Sequence, residues 1–307
     1  MLFLDERTAT VRDWKLPVQA PHLQEMRVLG FCVVAIAAVL AGCGTATAPG
    51  AVGIERPQLL LVPSEQVNQS ADEAYRQVLA QARREGALDR DPAQVRRVKA
   101  IVGRLIPQTA TFRKDAPGWE WEAHVLSSSE VNAWCMPGGK IAVYTGLLER
   151  LQPADEELAA VLGHEIGHAL REHGRERMSI ALAEQLALNA VGTVARFPQP
   201  ALDLAPTLLD LTLNLPYSRA QEAEADRVGV ELAARAGYDP HAAIALWEKM
   251  QKLGGSRPPK FLSTHPAPED RVRDLGIYAE KLVPLYQAAR KTSGQILLEE
   301  GDRPLPR

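Results

Sequence analysis

The chain has 307 residues, 46% of them apolar and 24% charged, with a formal net charge of −3. That is ordinary globular composition, with apolar residues enough for one sizeable core. The near-neutral balance supplies neither the basic footprint of a nucleic-acid-binding surface nor a polybasic membrane patch, so no nucleic-acid partner is expected.

The first stretch reads as an export signal. Residues 1–25 are polar and Pro-punctuated and would precede a signal that normally begins a chain, so Met26 is the expected start. Met26-Arg27 opens an apolar run from Val28 to Ala41 that closes with Leu40-Ala41-Gly42-Cys43. A positive residue, a short apolar segment and small residues before a cut describe a secretory signal over 26–42. The run is about 14 residues long, whereas a spanning helix needs roughly 20. Its end resembles a bacterial lipobox, which implies a lipid on Cys43 and anchoring in the periplasm; a small-residue signal cleaved nearby without lipid is the other reading. Gly44 after that cysteine leans toward the outer membrane. Cys32 falls inside the signal, so Cys135 alone remains in the mature body and no internal disulfide is expected.

Residues 43–69 include a Gly/Ala/Pro/Thr-rich stretch to Pro63 and read as a lipidated tether. A single domain is expected over 70–290, with 291–307 as a tail. Helices are predicted at 70–85 and at 92–105, where Val95, Val98, Ile101, Val102 and Leu105 recur at helical spacing. Two strand-like runs follow, one holding Trp119, Trp121, His124 and Val125, the other Ile141, Val143 and Tyr144, with the turn signal Pro137-Gly138-Gly139 between them. The remainder is predicted helical at 155–173, 175–196, 218–236, 240–252 and 268–289. The Pro- and Leu-rich stretch 198–216 either completes the core or covers a cleft as a lid.

The helix predicted from Asp155 carries His164-Glu165-Ile166-Gly167-His168. Positions four apart lie one above the other on a helix, so both imidazoles project from one face, a spacing that suits two nitrogens on one Zn²⁺. The intervening Glu165 can reach a metal-bound water as general base. A catalytic zinc needs a third protein ligand. His173 has a helical angle pointing away from the shared face and is expected to face solvent. Where one class of zinc proteases carries Gly and a third His, this chain has Arg171 and Gly174. In the later segment Ser218-Arg219-Ala220-Gln221-Glu222-Ala223-Glu224-Ala225-Asp226, Glu222 and Asp226 stand four apart on one face, with Ser218 as a cap. Glu222 is the candidate third ligand and Asp226 a candidate partner for a ligand, although an isolated segment of this kind is more readily an ordinary solvated acidic face. Glu224 lies off that face and is expected to be solvated.

HEIGH followed by SRAQEAEAD resembles the membrane-associated zinc metallopeptidases that include HtpX, the CaaX prenyl proteases, mitochondrial OMA-type proteases and the periplasmic lipoproteins LoiP and BepA. The motif Ser-Arg-x-x-Glu-x-x-Ala-Asp of that family puts its third zinc ligand on Glu222. Asn132-Ala133-Trp134, Pro137-Gly138-Gly139-Lys140-Ile141 and Thr145-Gly146-Leu147-Leu148 are similar to its strand region, and Ser263-Thr264-His265-Pro266 with Arg271 to its downstream loop. The resemblance covers roughly 70–285, and the LoiP-like layout fits best, since multiple membrane spans and C-terminal helical repeats are not expected here. It implies an α+β, predominantly helical, zincin-like (gluzincin) domain with a small β-sheet beside the HExxH helix. It implies one Zn²⁺ per subunit on His164, His168 and Glu222. It further implies His265 as a fourth ligand in a latent state or as an oxyanion stabiliser, Asp226 orienting a ligand, and Arg271 as charge partner. Substrate is expected to add as a strand at an edge formed by Asn132, Gly138, Gly139, Lys140 and Ile141. His124 and His241 are expected to be structural or exposed. The implied function is endoproteolysis of misfolded or unassembled envelope polypeptides; a zinc-binding chaperone or assembly factor with little activity is the alternative.

Overall fold

In the computed structural model, which describes residues 43–195, 203–253, 259–266 and 270–301, one helix is buried along almost its whole length. The expected signal at 26–42 and the upstream extension lie outside the described residues. In chain order the elements are β1 (Cys43–Gly44), β2 (Gln58–Leu59), α1 (Ser64–Arg84), α2 (Pro92–Leu105), β3 (Glu122–Leu126), β4 (Ala133–Met136), β5 (Lys140–Tyr144), α3 (Thr145–Leu151) and α4 (Asp155–Leu170). There follow α5 (His173–Ala195), α6 (Leu204–Leu213), α7 (Arg219–Arg235), α8 (Ala242–Leu253), α9 (Lys260–Thr264) and α10 (Arg271–Gly301). The architecture is α+β and mostly helical, as expected. None of the described helices is long and apolar enough to cross a membrane.

The buried helix is α4, in which every residue from Glu157 to Leu170 is buried. Asp155, Glu156 and Glu157 occupy its first turn, at the positive end of the helix dipole. Glu157 closes that end by accepting the Ala154 N–H at 2.7 Å, and its carboxylate is held by Lys249 at 2.6 Å. Against α4 lies α7, started by the Ser218 hydroxyl, which accepts the Gln221 N–H, while the Gln221 side chain returns to the Ser218 N–H. Glycines bring the two backbones together. A methyl group on Gly163 would sit 2.7 Å from the Gly229 carbonyl oxygen, and one on Gly229 would sit 2.5 Å from the His164 nitrogen. One on Gly167 would lie 2.9 Å from the Ala225 carbonyl oxygen.

The sheet has the order β3-β5-β4, with β3 parallel and β4 antiparallel to β5. Gly138 (φ +79°) and Gly139 (φ +86°) make the β4–β5 turn in the left-handed region, and a side chain on Gly139 would run into the Trp121 ring. This topology corrects the expected substrate edge. Lys140 and Ile141 belong to the central strand, paired on both sides, and the Lys140 ammonium is buried 2.6 Å from Glu122. The edge on this side is β4, entered from Asn132. Of the strand-like run holding Trp119, Trp121, His124 and Val125, the part from Glu122 is strand, and its parallel pairing with β5 is a long-range contact that local pattern does not encode.

The expected tether is also corrected. Val52, Ile54 and Val62 are buried, and β1 pairs with β2. The Glu231 carboxylate accepts the Val52 N–H at 3.0 Å, and the Gln58 amide donates to the Arg171 carbonyl at 2.6 Å. Small residues and prolines let this segment follow the surface of the domain instead of leaving it. Helix α1 starts at Ser64, ahead of the expected Ser70, because Val67 and Ala71 pack inward with Tyr75. Helix α2 matches 92–105, with the Asp91 carboxylate accepting the Ala93 N–H and Pro92 in the first turn. Helix α10 runs on to Gly301, past the expected end at 289 and into the expected tail. Of the stretch 198–216, residues 198–202 lie outside the described residues, and the rest forms α6, packed on α1, α5 and β4 with Leu208 buried.

Replacing a helix-interior glycine by alanine ordinarily gains about 1 kcal/mol of helix propensity. At Gly229 the new methyl meets backbone, which cannot swing aside, and overpacking of this kind costs about 1–3 kcal/mol. Gly229→Ala is expected to lower the melting temperature in a circular-dichroism melt. A melting temperature at or above that of the parent chain contradicts the close crossing.

Candidate metal centre

Four buried side chains converge where α4, α7 and the end of α9 meet. His164, His168, Glu222 and His265 each offer one ligand atom, and these atoms lie within 4.8 Å of one another. His164 Nε2 and His168 Nε2 are 3.0 Å apart, as the i, i+4 spacing on α4 requires. Glu222, from the first turn of α7, sets Oε1 3.4 Å from His168 Nε2 and Oε2 3.6 Å from His164 Nε2. His265 caps α9, with Nδ1 3.2 Å from His164 Nε2 and 3.0 Å from Glu222 Oε1. Four donors bound tetrahedrally at zinc–ligand distances near 2.0–2.1 Å are separated by roughly 3.3 Å. The observed separations bracket that value, and nitrogen with carboxylate oxygen is a donor set that zinc takes. A second observation agrees: Glu165 Oε1 is buried without a hydrogen-bond partner, 3.5 Å from His265 Nε2. A buried carboxylate oxygen left bare beside such a cluster leaves a place for water or substrate.

The ligand candidates are gripped from behind. His164 Nδ1 lies 2.9 Å from Asp226 Oδ1. Arg271 spans Glu222 and Asp226 of α7, donating from Nε and Nη2 to the two Asp226 oxygens and from Nη1 to Glu222 Oε2, each at 2.7 Å. Its guanidinium lies 3.6 Å from the centre of the Trp247 ring. Burial pushes the Glu165 carboxyl up to about 7, and the Glu222 charge adds to this against the pull of His265 and Arg271. Burial acts on Glu222 in the same sense, but His265, His168 and His164 outweigh it and hold that carboxyl well below the usual range. Burial also drives the His168 imidazole well below its ordinary value.

Two expectations are overturned here. His173, expected in solvent, is fully buried, with Nδ1 2.8 Å from His168 Nδ1 and Nε2 3.0 Å from Glu224 Oε2. The helix carrying His164 and His168 ends at Leu170, and Glu172 takes a positive φ of 50° before α5 begins at His173. An angle extrapolated along one continuous helix therefore does not describe position 173. Glu224, expected to be solvated, is buried and accepts from Arg56 Nε at 2.6 Å and Arg171 Nε at 3.0 Å. The segment read as a tether covers that face and brings Arg56. Arg56 also binds Glu176 at 2.5 Å. Sequence reading missed Tyr217 as well. Its ring centre lies 4.0 Å from that of His168, and it stacks on His265 at 5.2 Å. Its place directly before the Ser218 cap was the one available signal, since the residue ahead of an N-cap often packs back onto its surroundings. His124 is half-buried and bonded to Asp89, and His241 is exposed beside Asp239 and Glu280.

Burial would raise the Glu224 carboxyl, yet His173, Arg56 and Arg171 hold it down at about 2. A carboxyl whose folded value lies below its unfolded value adds stability that is complete above about 4.5 and is lost as pH falls toward 2. Glu224→Gln is expected to cost up to about 3 kcal/mol at neutral pH. Denaturant melts from pH 7 to pH 2 are expected to show that penalty shrinking below pH 4.5, and a pH-independent penalty contradicts the assignment.

Comparison with known proteins finds relatives over most of the domain that carries these residues. The model of Peptidase family M48 matches residues 92–278. The mitochondrial metalloendopeptidase OMA1 of Arabidopsis thaliana is 44% identical over 161 residues, covering 52% of this chain and 31% of the relative. The mitochondrial metalloendopeptidase OMA1 of Bos taurus is 33% identical over 251 residues, covering 77% and 46%. The beta-barrel assembly-enhancing protease of Escherichia coli is 28% identical over 214 residues, covering 67% and 43%. In these pairings the chain spans from 31% to 46% of the relative's length, less than half in each.

Proposed function

The chain belongs to peptidase family M48, a family of zinc proteases, and we propose that it is itself a zinc-dependent endopeptidase with Glu165 as general base. The observation that carries the reading is the spacing of His164, His168 and Glu222, whose donor atoms lie 3.0, 3.4 and 3.6 Å apart, with the unpartnered Glu165 oxygen buried in the same cluster 3.5 Å from His265 Nε2. In this reading those three residues hold the ion, which when bound acidifies water and polarises the scissile carbonyl. Glu165 takes the proton of the attacking water and hands it to the leaving amine. Asp226 and Arg271 fix His164 and Glu222 so that neither rotates away. His265 Nδ1 stands at the fourth corner, so in this conformation it closes the centre, and its departure admits water.

The proposed substrate is an extended segment of an unfolded or misassembled envelope polypeptide. Such a strand adds to the β4 edge beside α4 by backbone hydrogen bonds, which tolerate many sequences. With Cys43 exposed at the start of β1 and residues 46–62 packed on the domain, a lipid on Cys43 would hold the metal centre close to a membrane surface in the periplasm.

The test pairs two variants of the full chain. Glu165→Gln is expected to keep one zinc per chain and to lose at least about 100-fold in digestion of an unfolded casein, at the low end of what general-base catalysis contributes. His164→Ala is expected to lose zinc as well, and chelation of the parent chain is expected to abolish digestion until zinc is returned. Wild-type turnover in Glu165→Gln removes the general base; zinc without digestion in the parent chain leaves the chaperone-like reading. For His265, faster digestion by His265→Ala supports closure of the centre, and slower digestion assigns the ring to the oxyanion.

A further inference from the structure

Each histidine of α4 has a second ring nitrogen, and the two are served differently. His164 Nδ1 meets a carboxylate, that of Asp226, at 2.9 Å. His168 Nδ1 meets another imidazole, His173 Nδ1, at 2.8 Å. A neutral imidazole carries one N–H and one bare nitrogen, so two nitrogens facing each other form a bond only if one donates and the other accepts. The direction is settled at the far side of His173. Its Nε2 lies 3.0 Å from Glu224 Oε2, and an ionised carboxylate only accepts. Two guanidinium groups, those of Arg56 and Arg171, donate to the Glu224 carboxylate at 2.6 Å and 3.0 Å, the pairing of an ionised acid. His173 therefore carries its hydrogen on Nε2 and presents Nδ1 bare. His168 must then carry its hydrogen on Nδ1, which leaves Nε2 bare and aimed at His164 and Glu222.

We propose that His173 is a positioning residue for the metal centre. Through a relay from Glu224, it imposes on His168 the one tautomer whose Nε2 lone pair can bind a cation. This rests on the zinc reading above and extends it to two residues outside the motif. The relay also explains why the segment at 46–62 is bonded into this face. Arg56 comes from that segment, and Arg171 donates to the Thr47 hydroxyl and the Arg56 carbonyl at 3.0 Å each. The anchor of the relay is thus shared between the end of α4 and the N-terminal strap.

Two measurements test it on the full chain. In the first, zinc affinity is read by competition with a chelating indicator, and the visible spectrum of the cobalt-substituted protein reports ligand geometry. His173→Phe keeps a ring and removes both hydrogen bonds; it is expected to weaken zinc binding 10- to 100-fold and to alter the cobalt spectrum, in the range typical when a partner of a metal-bound histidine is lost. His173→Gln, whose amide oxygen accepts from His168 and whose amide nitrogen donates to Glu224, is expected to recover most of that loss. A folded His173→Phe protein with wild-type zinc affinity and spectrum overturns the proposal. The second measurement needs no variant. The nitrogen spectrum of the ¹⁵N-histidine-labelled, zinc-loaded parent chain is expected to show His168 protonated at Nδ1 and His173 at Nε2, and the reverse assignment for His173 overturns the relay even if His173→Phe fails to fold. Zinc absent from the parent chain, or retained at full affinity by His168→Ala, would instead overturn the underlying zinc reading.

Discussion

The approach of α4 to α7 at backbone distance is the constraint from which the site follows. Gly163 and Gly167 on one helix and Gly229 on the other let the two backbones meet, and a methyl group at any of the three would lie within 3.0 Å of backbone atoms. Helices separated by ordinary side chains lie 8–10 Å apart. The closer approach here sets Glu222 and Asp226 beside the His164–His168 face. The glycines lower helix propensity by about 1 kcal/mol each, so in α4 and α7 local stability has been traded for the proximity that puts Glu222 and Asp226 beside the two imidazoles.

Bringing those groups together in a buried place creates an electrostatic problem, and the surrounding residues answer it in a definite way. Glu165, Glu222, Glu224 and Asp226 are all buried, and removing a carboxylate from water is costly unless it is paired and hydrogen-bonded. Arg271 serves Glu222 and Asp226 together; Arg171 and Arg56 serve Glu224. Glu165 alone has a bare oxygen, and its carboxyl is the one raised toward neutrality. The group left unsatisfied is the one the proposed chemistry needs free to take and return a proton, while the groups with fixed partners are those that orient.

Local periodicity made much of this legible. The spacing of His164 and His168 follows from helix geometry, the cap at Ser218 and the pair Glu222–Asp226 were visible as a helix start with one acidic face, and the spacing of Val95, Val98, Ile101, Val102 and Leu105 marked α2. Errors fell where a local rule was carried across a break. His173 was placed by extending a helix that stops at Leu170, Lys140 was placed at an edge because the parallel partner β3 comes from elsewhere in the chain, and residues 46–62 were read as a tether because small residues and prolines show no periodicity even when they pack.

The sequence by itself determined the chemical inventory and its local arrangement: which side chains can bind a cation, which one can move a proton, and which of them share a helix face. Such facts depend only on residue type and on a repeat of 3.6 positions. The family resemblance had already grouped Glu222 and His265, 58 and 101 residues from His164, with that residue, and tertiary structure alone decided that Arg56 closes a hydrogen-bonded path through Glu224 and His173 to His168. Those contacts depend on how close two helices can come and on which segment covers which face, and both are set by packing across the whole domain.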